Sequence, residues 1–471
     1  MRALLLFLTT AALLHANPVE LFDGKSLAGW KASENTGSWS VKHGAIVANG
    51  KRSHLFYNGP VAHADFTNFI LEIEACAAAR SNSGVFIHTA WQKTGWPDHG
   101  YEIQINNSYN GHGQHRELKR TGSIYAVRNL TKSPIADDQW FTLRIQVAGK
   151  RVIVHVDDKL AVDYIEPDGP LHPAFPPTRR LSSGTIALQA HDPGSTVRFR
   201  RITLTQLPAN HDPAIPLRPS ADGCGATRDR IDSLAARNIP FIDYHVHLRG
   251  GMTADKALAR QATTGINLGI LKNLGQGWPI ETDAQLAAFL DETESYPLFR
   301  GIQVNDRDWH TTHDKTLLDR LDYILADTMI MPMPDDNGPM TKLFEPATYT
   351  IDDPEAWMKR YLKHNLRVLA EPCNILANPT YLPPSVEPLY DTLWTDERMK
   401  LVIQAAIDNH VALEINARSG FPRDRFIRHA RNMGAKFTTG SNNSDDQPVD
   451  MSRCFKAYQS HRITKAQTWV P

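Results

Sequence analysis

The chain has 471 residues, 41% hydrophobic and 22% charged, enough apolar material for roughly two to four domains. Its 51 lysines and arginines balance its 51 aspartates and glutamates, so the formal net charge is zero. Without a basic excess or a long basic run, the composition gives no electrostatic support for nucleic-acid binding.

The N-terminal residues have the pattern of a secretory leader. A single arginine, Arg2, precedes an apolar stretch from Ala3 to Leu14, and Ala16 is a candidate cleavage position. The stretch is shorter than the ~20 residues that a membrane-spanning helix needs. We therefore predict a signal peptide over residues 1–16, a secreted or periplasmic protein, and no transmembrane segment.

The first half of the chain alternates apolar and polar residues with a period of two. Short polar turns separate these runs, and no helical pattern lies between them. Many short strands of this kind predict an antiparallel sandwich or barrel. The strand candidates are 69–77, 84–90, 101–106, 140–149, 151–158, 185–191 and 195–207.

A change of rhythm follows the segment 208–237, whose proline and glycine content predicts a linker. From residue 238 to 471, apolar strands alternate with helical segments, as in a parallel α/β barrel. Thr282 with Gln285 predicts a helix start, as does Asp353 followed by proline. The strand candidates are 241–247, 267–275, 299–306, 323–332, 366–374, 411–417 and 435–441.

The strand candidate around "YEIQIN" carries a polar face. Its apolar side chains point to one side, and Glu102, Gln104 and Asn106 point to the other. Amide groups can donate hydrogen bonds to sugar hydroxyls and accept hydrogen bonds from them, and carboxylates can accept them, although a strand that faces water shows the same alternation. Two tryptophans in a loop, Trp91 and Trp96, could stack on the face of a sugar ring. Near a strand end, Gln189, His191 and Asp192 are further candidates for sugar contact.

Several motifs of this half occur in an order that resembles the 3-keto-disaccharide hydrolase domain. They are "LFDGKSLAGW", "SNSGVFIHT", "GYEIQI", "TGSIYAV", "GTIALQAHD" and "VRFRRITL". The resemblance implies a concanavalin-like jelly-roll sandwich over residues 17–207. It also implies action on glycosides whose sugar carries a ketone at C3.

That activity requires removal of the C2 proton, elimination of the aglycone from C1, and addition of water to the resulting alkene. The resemblance assigns catalysis to Glu102, His191 and Gln104, without deciding which group is the base and which is the acid. Substrate contacts are expected from Tyr125, Gln189, Asp192, Trp91, Trp96 and Asn106.

In the second half, polar side chains occur where several predicted barrel strands end. His245 and His247 end the first strand, and Asp327, Glu371 and Glu414 belong to later ones. Imidazoles with carboxylates suit a divalent transition metal, which would lower the pKa of a bound water. Hydrogen-bonded barrel histidines without an ion are the alternative interpretation.

The motifs "DYHVHL", "ILANPTYLP", "ALEINARSGFP" and "KFTTGSNN" resemble the PHP-like metal-dependent hydrolase superfamily, a seven-stranded TIM-barrel-like fold. The resemblance implies a site for zinc, manganese or iron, with His245 and His247 as its opening pair and Glu414 as its acidic ligand. Asp327 and Glu371 are further ligand candidates. The family closes its site with an Asp-x-His pair, where this chain reads "SNNSDD".

The sequence therefore predicts a secreted multi-domain enzyme that cleaves 3-keto-glycosides in its jelly roll and carries a barrel that is either a second hydrolase or a degenerate partner. One alternative is a barrel hydrolase that a carbohydrate-binding jelly roll directs to polysaccharide. Another is a sugar-binding surface protein without catalysis. If the jelly roll is the enzyme, Glu102→Ala should lower kcat. If the jelly roll only binds carbohydrate for a barrel hydrolase, Glu102→Ala should raise KM and His245→Ala should abolish activity.

Overall fold

The computed structural model describes residues 17–111, 116–168, 176–208 and 228–471. The predicted signal peptide, 1–16, and most of the predicted linker lie outside these ranges. None of the helices in the described ranges is both long enough and apolar enough to span a bilayer.

The first half is a sandwich of two antiparallel sheets, as predicted. The larger sheet has the order β11 (Lys159–Ile165), β10 (Arg151–Val156), β9 (Trp140–Ala148), β6 (Phe69–Ala77), β13 (Thr196–Gln206), β4 (Ala45–Asn49) and β3 (Trp39–Lys42), and β1 (Val19–Glu20) pairs with β13. The smaller sheet has the order β2 (Trp30–Ala32), β5 (Ser53–Tyr57), β12 (Thr185–Ala190), β7 (Ser83–Thr89) and β8 (Tyr101–Ile105).

Packing of the sandwich core determines which side chains of β8 point away from the core. Tyr101, Ile103 and Ile105 are buried among the apolar side chains between the two sheets. Since neighbouring side chains of a strand point in opposite directions, Glu102 and Gln104 lie on the outer face of the smaller sheet. The alternation predicted from the sequence is confirmed.

The second half contains a closed barrel of seven parallel strands. In order around the barrel they are β14 (Ile242–His247), β15 (Asn267–Leu274), β16 (Phe299–Val304), β17 (Tyr323–Asp327), β20 (Ile375–Ala377), β21 (Ala412–Asn416) and β22 (Phe437–Gly440). A small hairpin of β18 (Ile330–Pro332) and β19 (Met340–Lys342) follows β17. The predicted strand 323–332 is therefore two strands separated by a turn.

Helices cover the barrel and extend into the predicted linker. They are α1 (Arg228–Ala236), α2 (Ala254–Thr264), α3 (Asp283–Thr293), α4 (Trp309–Thr312), α5 (Lys315–Leu318), α6 (Pro354–Leu369), α7 (Tyr390–Leu393), α8 (Asp396–Asp408), α9 (Asp424–Met433) and α10 (Ser452–Ser460). The predicted capping box of Thr282 and Gln285 is present, and Asp353 caps α6.

The fifth predicted strand, 366–374, is wrong. Helix α6 continues to Leu369, and the barrel strand begins at Ile375. The buried side chains of α6 include Trp357, Tyr361 and Val368, which recur at intervals of four and seven residues. This spacing places the buried side chains on one face of a helix, so the short apolar run at 368–369 continues α6 and does not form a strand.

The jelly roll packs against the end of the barrel where the strands begin. Asn267, the first residue of β15, accepts hydrogen bonds from Thr131 N (2.9 Å) and Thr131 Oγ1 (3.0 Å) and donates to Asn129 O (2.8 Å). Lys132 forms an ion pair with Asp322, just before β17 (2.6 Å). The opposite end of the barrel, where the strands finish, faces away from these contacts.

Candidate active site

A cavity of about 280 Å³ opens on the outer face of the smaller sheet. Strands β7, β8 and β12 are hydrogen-bonded neighbours and form its floor. The cavity brings together six of the nine side chains that the sequence assigned to the jelly-roll site. These are Trp96, Glu102, Gln104, Tyr125, Gln189 and His191, and the other lining residues are Asn82, Phe86, Pro97 and Arg179.

Glu102 lies on the cavity floor, where Gly84 on the neighbouring strand leaves room for it. A Cβ atom at position 84 would lie 2.5 Å from Oε1 of Glu102. Gln189 donates a hydrogen bond from Nε2 to the same oxygen at 2.9 Å. Burial raises the pKa of Glu102 to about 7, although the charge of Arg179 and the bond from Gln189 act in the opposite direction.

His191 is held at the edge of the cavity by Asp192. Its Nδ1 atom lies 2.7 Å from Oδ2 of Asp192, which also accepts from Ser195 Oγ at 3.0 Å. The ring centroid of Trp96 lies 5.2 Å from that of His191. Nε2 of His191 has no hydrogen-bond partner within the described residues, so this atom is available to a ligand.

Two amide side chains on the floor have incomplete hydrogen bonding. Gln104 donates from Nε2 to Oδ1 of Asn82 at 2.9 Å, and Gln189 donates to Glu102. The Oε1 atoms of Gln104 and Gln189 are buried without a partner among the described residues. An unsatisfied buried acceptor is costly, and a hydroxyl donor bound in the cavity would relieve that cost.

Arg179 lines the cavity and Lys119 lies beside the Tyr125 ring, and sequence reasoning missed both cations. Arg179 donates from Nη2 to the backbone oxygen of Tyr125 at 2.6 Å. Lys119 lies 4.2 Å from the centroid of the Tyr125 ring and forms a buried ion pair with Glu117 at 2.9 Å. Arg179 and Lys119 belong to loops without periodicity, and no local pattern in the sequence distinguishes them from surface cations.

Three of the predicted jelly-roll residues do not line the cavity. Asp192 acts through its contact with His191. Asn106 is fully buried, and its Nδ2 atom donates to the backbone oxygens of Tyr109 (3.1 Å) and Lys119 (3.0 Å), so it fixes the loop after β8. Trp91 is exposed, and Nζ of Lys31 lies 3.7 Å from its ring centroid.

In the barrel, His245 and Glu414 form a buried pair. Nδ1 of His245 lies 2.6 Å from Oε1 of Glu414, and Nε2 lies 3.2 Å from Oε1 of Gln303. The other oxygen of Glu414 accepts from the backbone N–H of Asn378 and from Asn416. Burial opposes charge on both groups, yet their attraction raises the pKa of His245 and lowers that of Glu414.

The remaining predicted ligands do not converge on a point. Asp327 accepts from Met329 N (2.9 Å) and from Nε2 of Gln303 (2.5 Å). The carboxylate of Glu371, in the turn that was predicted as a strand, accepts from Trp309 Nε1 at 2.9 Å. Burial and the neighbouring His245 keep the pKa of His247 well below its usual value, so its imidazole is neutral.

This donor arrangement does not fit the predicted metal. Throughout the described ranges, no three histidine, cysteine, aspartate or glutamate side chains are placed to hold an ion together. His245, Glu414 and Asp327 use their donor atoms on one another and on neighbouring amides. The zinc, manganese or iron expected from the sequence remains a prediction that the geometry of these side chains does not support.

Comparisons with known proteins concern the first half of the chain. Residues 17–205 match the family model of a 3-keto-alpha-glucoside-1,2-lyase-like domain. Two crystal structures of candidate glycosyl hydrolases from Parabacteroides distasonis ATCC 8503 are similar to it. One is 21% identical, with a TM-score of 0.35, over 41% of this chain and 94% of its own. The other is 24% identical, with a TM-score of 0.33, over 41% of this chain and 100% of its own.

The carbohydrate-binding module CBM66 from Bacillus subtilis is 14% identical, with a TM-score of 0.27, over 38% of this chain and 96% of its own. At such identities and scores these structural likenesses carry no functional argument. No curated protein matches the chain at a significant level. The family match therefore shows that residues 17–205, about two fifths of the chain, are similar to the 3-keto-alpha-glucoside-1,2-lyase-like domain.

Proposed function

We propose that the jelly-roll cavity cleaves 3-keto-glycosides by elimination and hydration, with Glu102 as the base. The observation that carries this proposal is a carboxyl group of pKa about 7 on the floor of a cavity in a domain of this family. A general base works best when its pKa is close to the operating pH. An ordinary glutamate would be a much weaker base.

The reaction is balanced without a redox partner. Glu102 takes the proton from C2, and the electron pair delocalises onto the C3 oxygen as an enolate. The enolate then collapses to form the C1=C2 double bond while the bond from C1 to the glycosidic oxygen breaks. The leaving oxygen takes a proton. Water finally adds its oxygen to C1, and a proton returns to C2, so one water is consumed for each bond cleaved.

The other side chains have roles that follow from their positions. Arg179 carries a positive charge beside Glu102 and would stabilise the enolate as it forms. His191 would donate a proton from Nε2 to the leaving oxygen while Asp192 fixes the ring through Nδ1. Gln104 and Gln189 would accept hydrogen bonds from sugar hydroxyls. If residues 1–16 direct secretion, the substrates are glycosides outside the cytoplasm.

The test compares Glu102→Gln with the wild type on 4-nitrophenyl 3-keto-α-glucoside. Glutamine keeps the size and the contact with Gln189 but cannot accept the C2 proton, so kcat should fall by about 10³ with little change in KM. Glu72→Gln, on the exposed face of the other sheet, should behave as wild type. The unoxidised 4-nitrophenyl α-glucoside should remain intact because its C2 proton is not acidic.

Isotope incorporation separates elimination from direct displacement. In D₂O the released 3-keto sugar should carry deuterium at C2, because the proton that returns there comes from solvent. Cleavage without deuterium at C2 would overturn the elimination mechanism. An unchanged kcat with a raised KM in Glu102→Gln would instead support the binding-module interpretation of the jelly roll.

A further inference from the structure

A second cavity lies at the end of the barrel where the strands finish. Its volume is about 540 Å³, which is within the range of small-molecule sites. It lies at the end of the barrel opposite the contacts with the jelly roll, so it is separate from the cavity around Glu102. Inference about this site is therefore independent of the proposed function.

Two arginines give this cavity a positive charge. Arg249 donates to the backbone oxygen of Asn443 from both Nε (3.1 Å) and Nη2 (2.8 Å), and Arg418 donates from Nη1 to the backbone oxygen of Asn442 at 3.1 Å. Both are therefore held by consecutive residues of one loop. In the part of the chain that the structure describes, neither guanidinium is within ion-pair distance of a carboxylate.

The single carboxyl group among the lining residues does not balance these charges. Asp327 is buried, and both of its oxygens already accept hydrogen bonds from Met329 N and Gln303 Nε2. Two guanidinium groups repel a divalent cation and attract an anion. The electrostatics of this cavity are the opposite of those that a metal site requires.

Uncharged polar groups and aromatic rings form the remaining walls. Asn273, Asn305 and Asn442 line the cavity, and amides can both donate to and accept from hydroxyl groups. Trp278 supplies an apolar surface of the kind that packs against the face of a sugar ring. Neutral polar groups therefore accompany the two cations.

We propose that the barrel cavity binds a monosaccharide-sized polyol with one anionic group, either carboxylate or phosphate, which Arg249 and Arg418 hold. A guanidinium group is a permanently charged hydrogen-bond donor and suits either anion. The asparagines contact the hydroxyls. The barrel is thus an anion-binding site where its sequence resembles a metal-dependent hydrolase.

The test measures dissociation constants of the full chain for glucuronate, glucose 6-phosphate and glucose by isothermal titration calorimetry. At least one of the two anions should bind about tenfold or more tightly than glucose, and which one binds identifies the anionic group. Arg418→Gln and Arg249→Gln should each weaken that binding about tenfold. Arg320→Gln, a half-buried arginine paired with Asp291, is the matched control and should bind normally.

Several results would overturn the proposal. These are no binding of either anion, equal affinity for glucose, or anion binding that both arginine variants leave unchanged. Stoichiometric binding of Mn²⁺ or Zn²⁺ that is lost in His247→Ala would also overturn it. Circular dichroism checks the fold of each variant, and Arg418→Gln, whose side chain is exposed, remains decisive if Arg249→Gln does not fold.

Discussion

At the scale of single residues, Glu102 combines two properties that oppose each other. Its burial gives the carboxyl a pKa near 7, which suits a base. The same burial penalises the ionised form, so the folded protein binds the proton more tightly than the unfolded chain does. The residue that we assign to catalysis therefore costs stability at neutral pH.

This cost predicts a pH-dependent stabilisation in Glu102→Gln. Because folding raises the pKa of Glu102, the contribution of this group to the free energy of unfolding is fully present below pH 4.5 and is lost as pH rises through about 7. Glutamine has no such loss, so the melting temperature of Glu102→Gln should exceed that of the wild type by about 3 °C or more at pH 8 and by much less at pH 4.5. Differential scanning calorimetry measures the difference. Glu72→Gln should show no such trend, and a constant difference for Glu102→Gln would contradict the assigned pKa.

Gly84 offers a second residue-scale prediction, because it can displace Glu102 without changing it. In Gly84→Ala the added Cβ would lie 2.5 Å from Oε1 and 2.8 Å from Cγ of Glu102, so the carboxylate must move. Misplacement of about 1 Å can cost about 100-fold in rate, and we expect a loss of that size in kcat on the 3-keto substrate.

The matched control for that change is Gly37→Ala, where a Cβ atom meets nothing within 4 Å. It should retain full activity. Circular dichroism establishes that both variants fold. Wild-type kcat in folded Gly84→Ala would mean that the position of the Glu102 carboxyl does not control the rate.

At the scale of elements, periodicity predicted most of the fold but not every boundary. The period-two pattern placed Glu102 and Gln104 on one face of β8, and the core confirms it. The fifth barrel strand was misplaced because Val368 and Leu369 end a helix whose buried face extends over the whole of α6. Loop residues such as Arg179 could not be predicted, since only the tertiary fold brings them to the cavity.

The first barrel strand illustrates why a motif alone does not establish a site. The His-x-His pattern at the end of β14 was assigned to a metal, yet His245 uses both ring nitrogens on Glu414 and Gln303. Gly440 on β22 provides the space for this pair, since a Cβ atom there would clash with Oε1 of Glu414. The arrangement fits an internal support of the barrel.

We therefore predict that Glu414→Gln destabilises the barrel without changing the jelly-roll reaction. Removal of one partner from a buried ion pair costs about 3 kcal/mol or more, so the barrel should unfold at lower urea concentration while kcat on the 3-keto substrate is unchanged. Glu387→Gln, which breaks the more exposed pair with Arg423, should cost less than about 1 kcal/mol.

Elemental analysis of the same proteins tests the competing interpretation. If Glu414 were a metal ligand, the wild type would carry about one equivalent of zinc, manganese or iron, and Glu414→Gln would lose it. We expect no metal difference between the two proteins. A stoichiometric metal that disappears in the variant would contradict the assignment of His245 and Glu414 as a support.

At the scale of the whole molecule, the sequence predicted two domains but gave no sign of how they meet. The loop after β8 links the two, because Tyr125 in this loop lines the jelly-roll cavity and Thr131 contacts the barrel. Arg128 in the same loop forms a buried ion pair with Asp232 of α1, the helix that lies within the predicted linker. The barrel thus supports a loop that shapes the cavity of the other domain.

This arrangement predicts that a barrel residue affects the jelly-roll reaction. Asn267→Ala removes two hydrogen bonds from Thr131 and one to Asn129, so the loop that carries Tyr125 should become more mobile. We expect kcat/KM on the 3-keto substrate to fall about tenfold, since a barrier increase of about 1.4 kcal/mol corresponds to that factor. Amide exchange over residues 117–131 should become faster in the same variant.

The control for the interface is Gln404→Ala, an exposed residue of α8 whose side chain donates a hydrogen bond to Asp408 of its own helix. It should leave both kcat/KM and amide exchange unchanged. Faster exchange in Asn267→Ala with full activity would show that the position of the loop does not limit the rate. Unchanged exchange would show that the contacts of Asn267 do not order the loop. A loss of both activity and exchange protection in Asn267→Ala would mean that the barrel contributes to the jelly-roll reaction by ordering this loop.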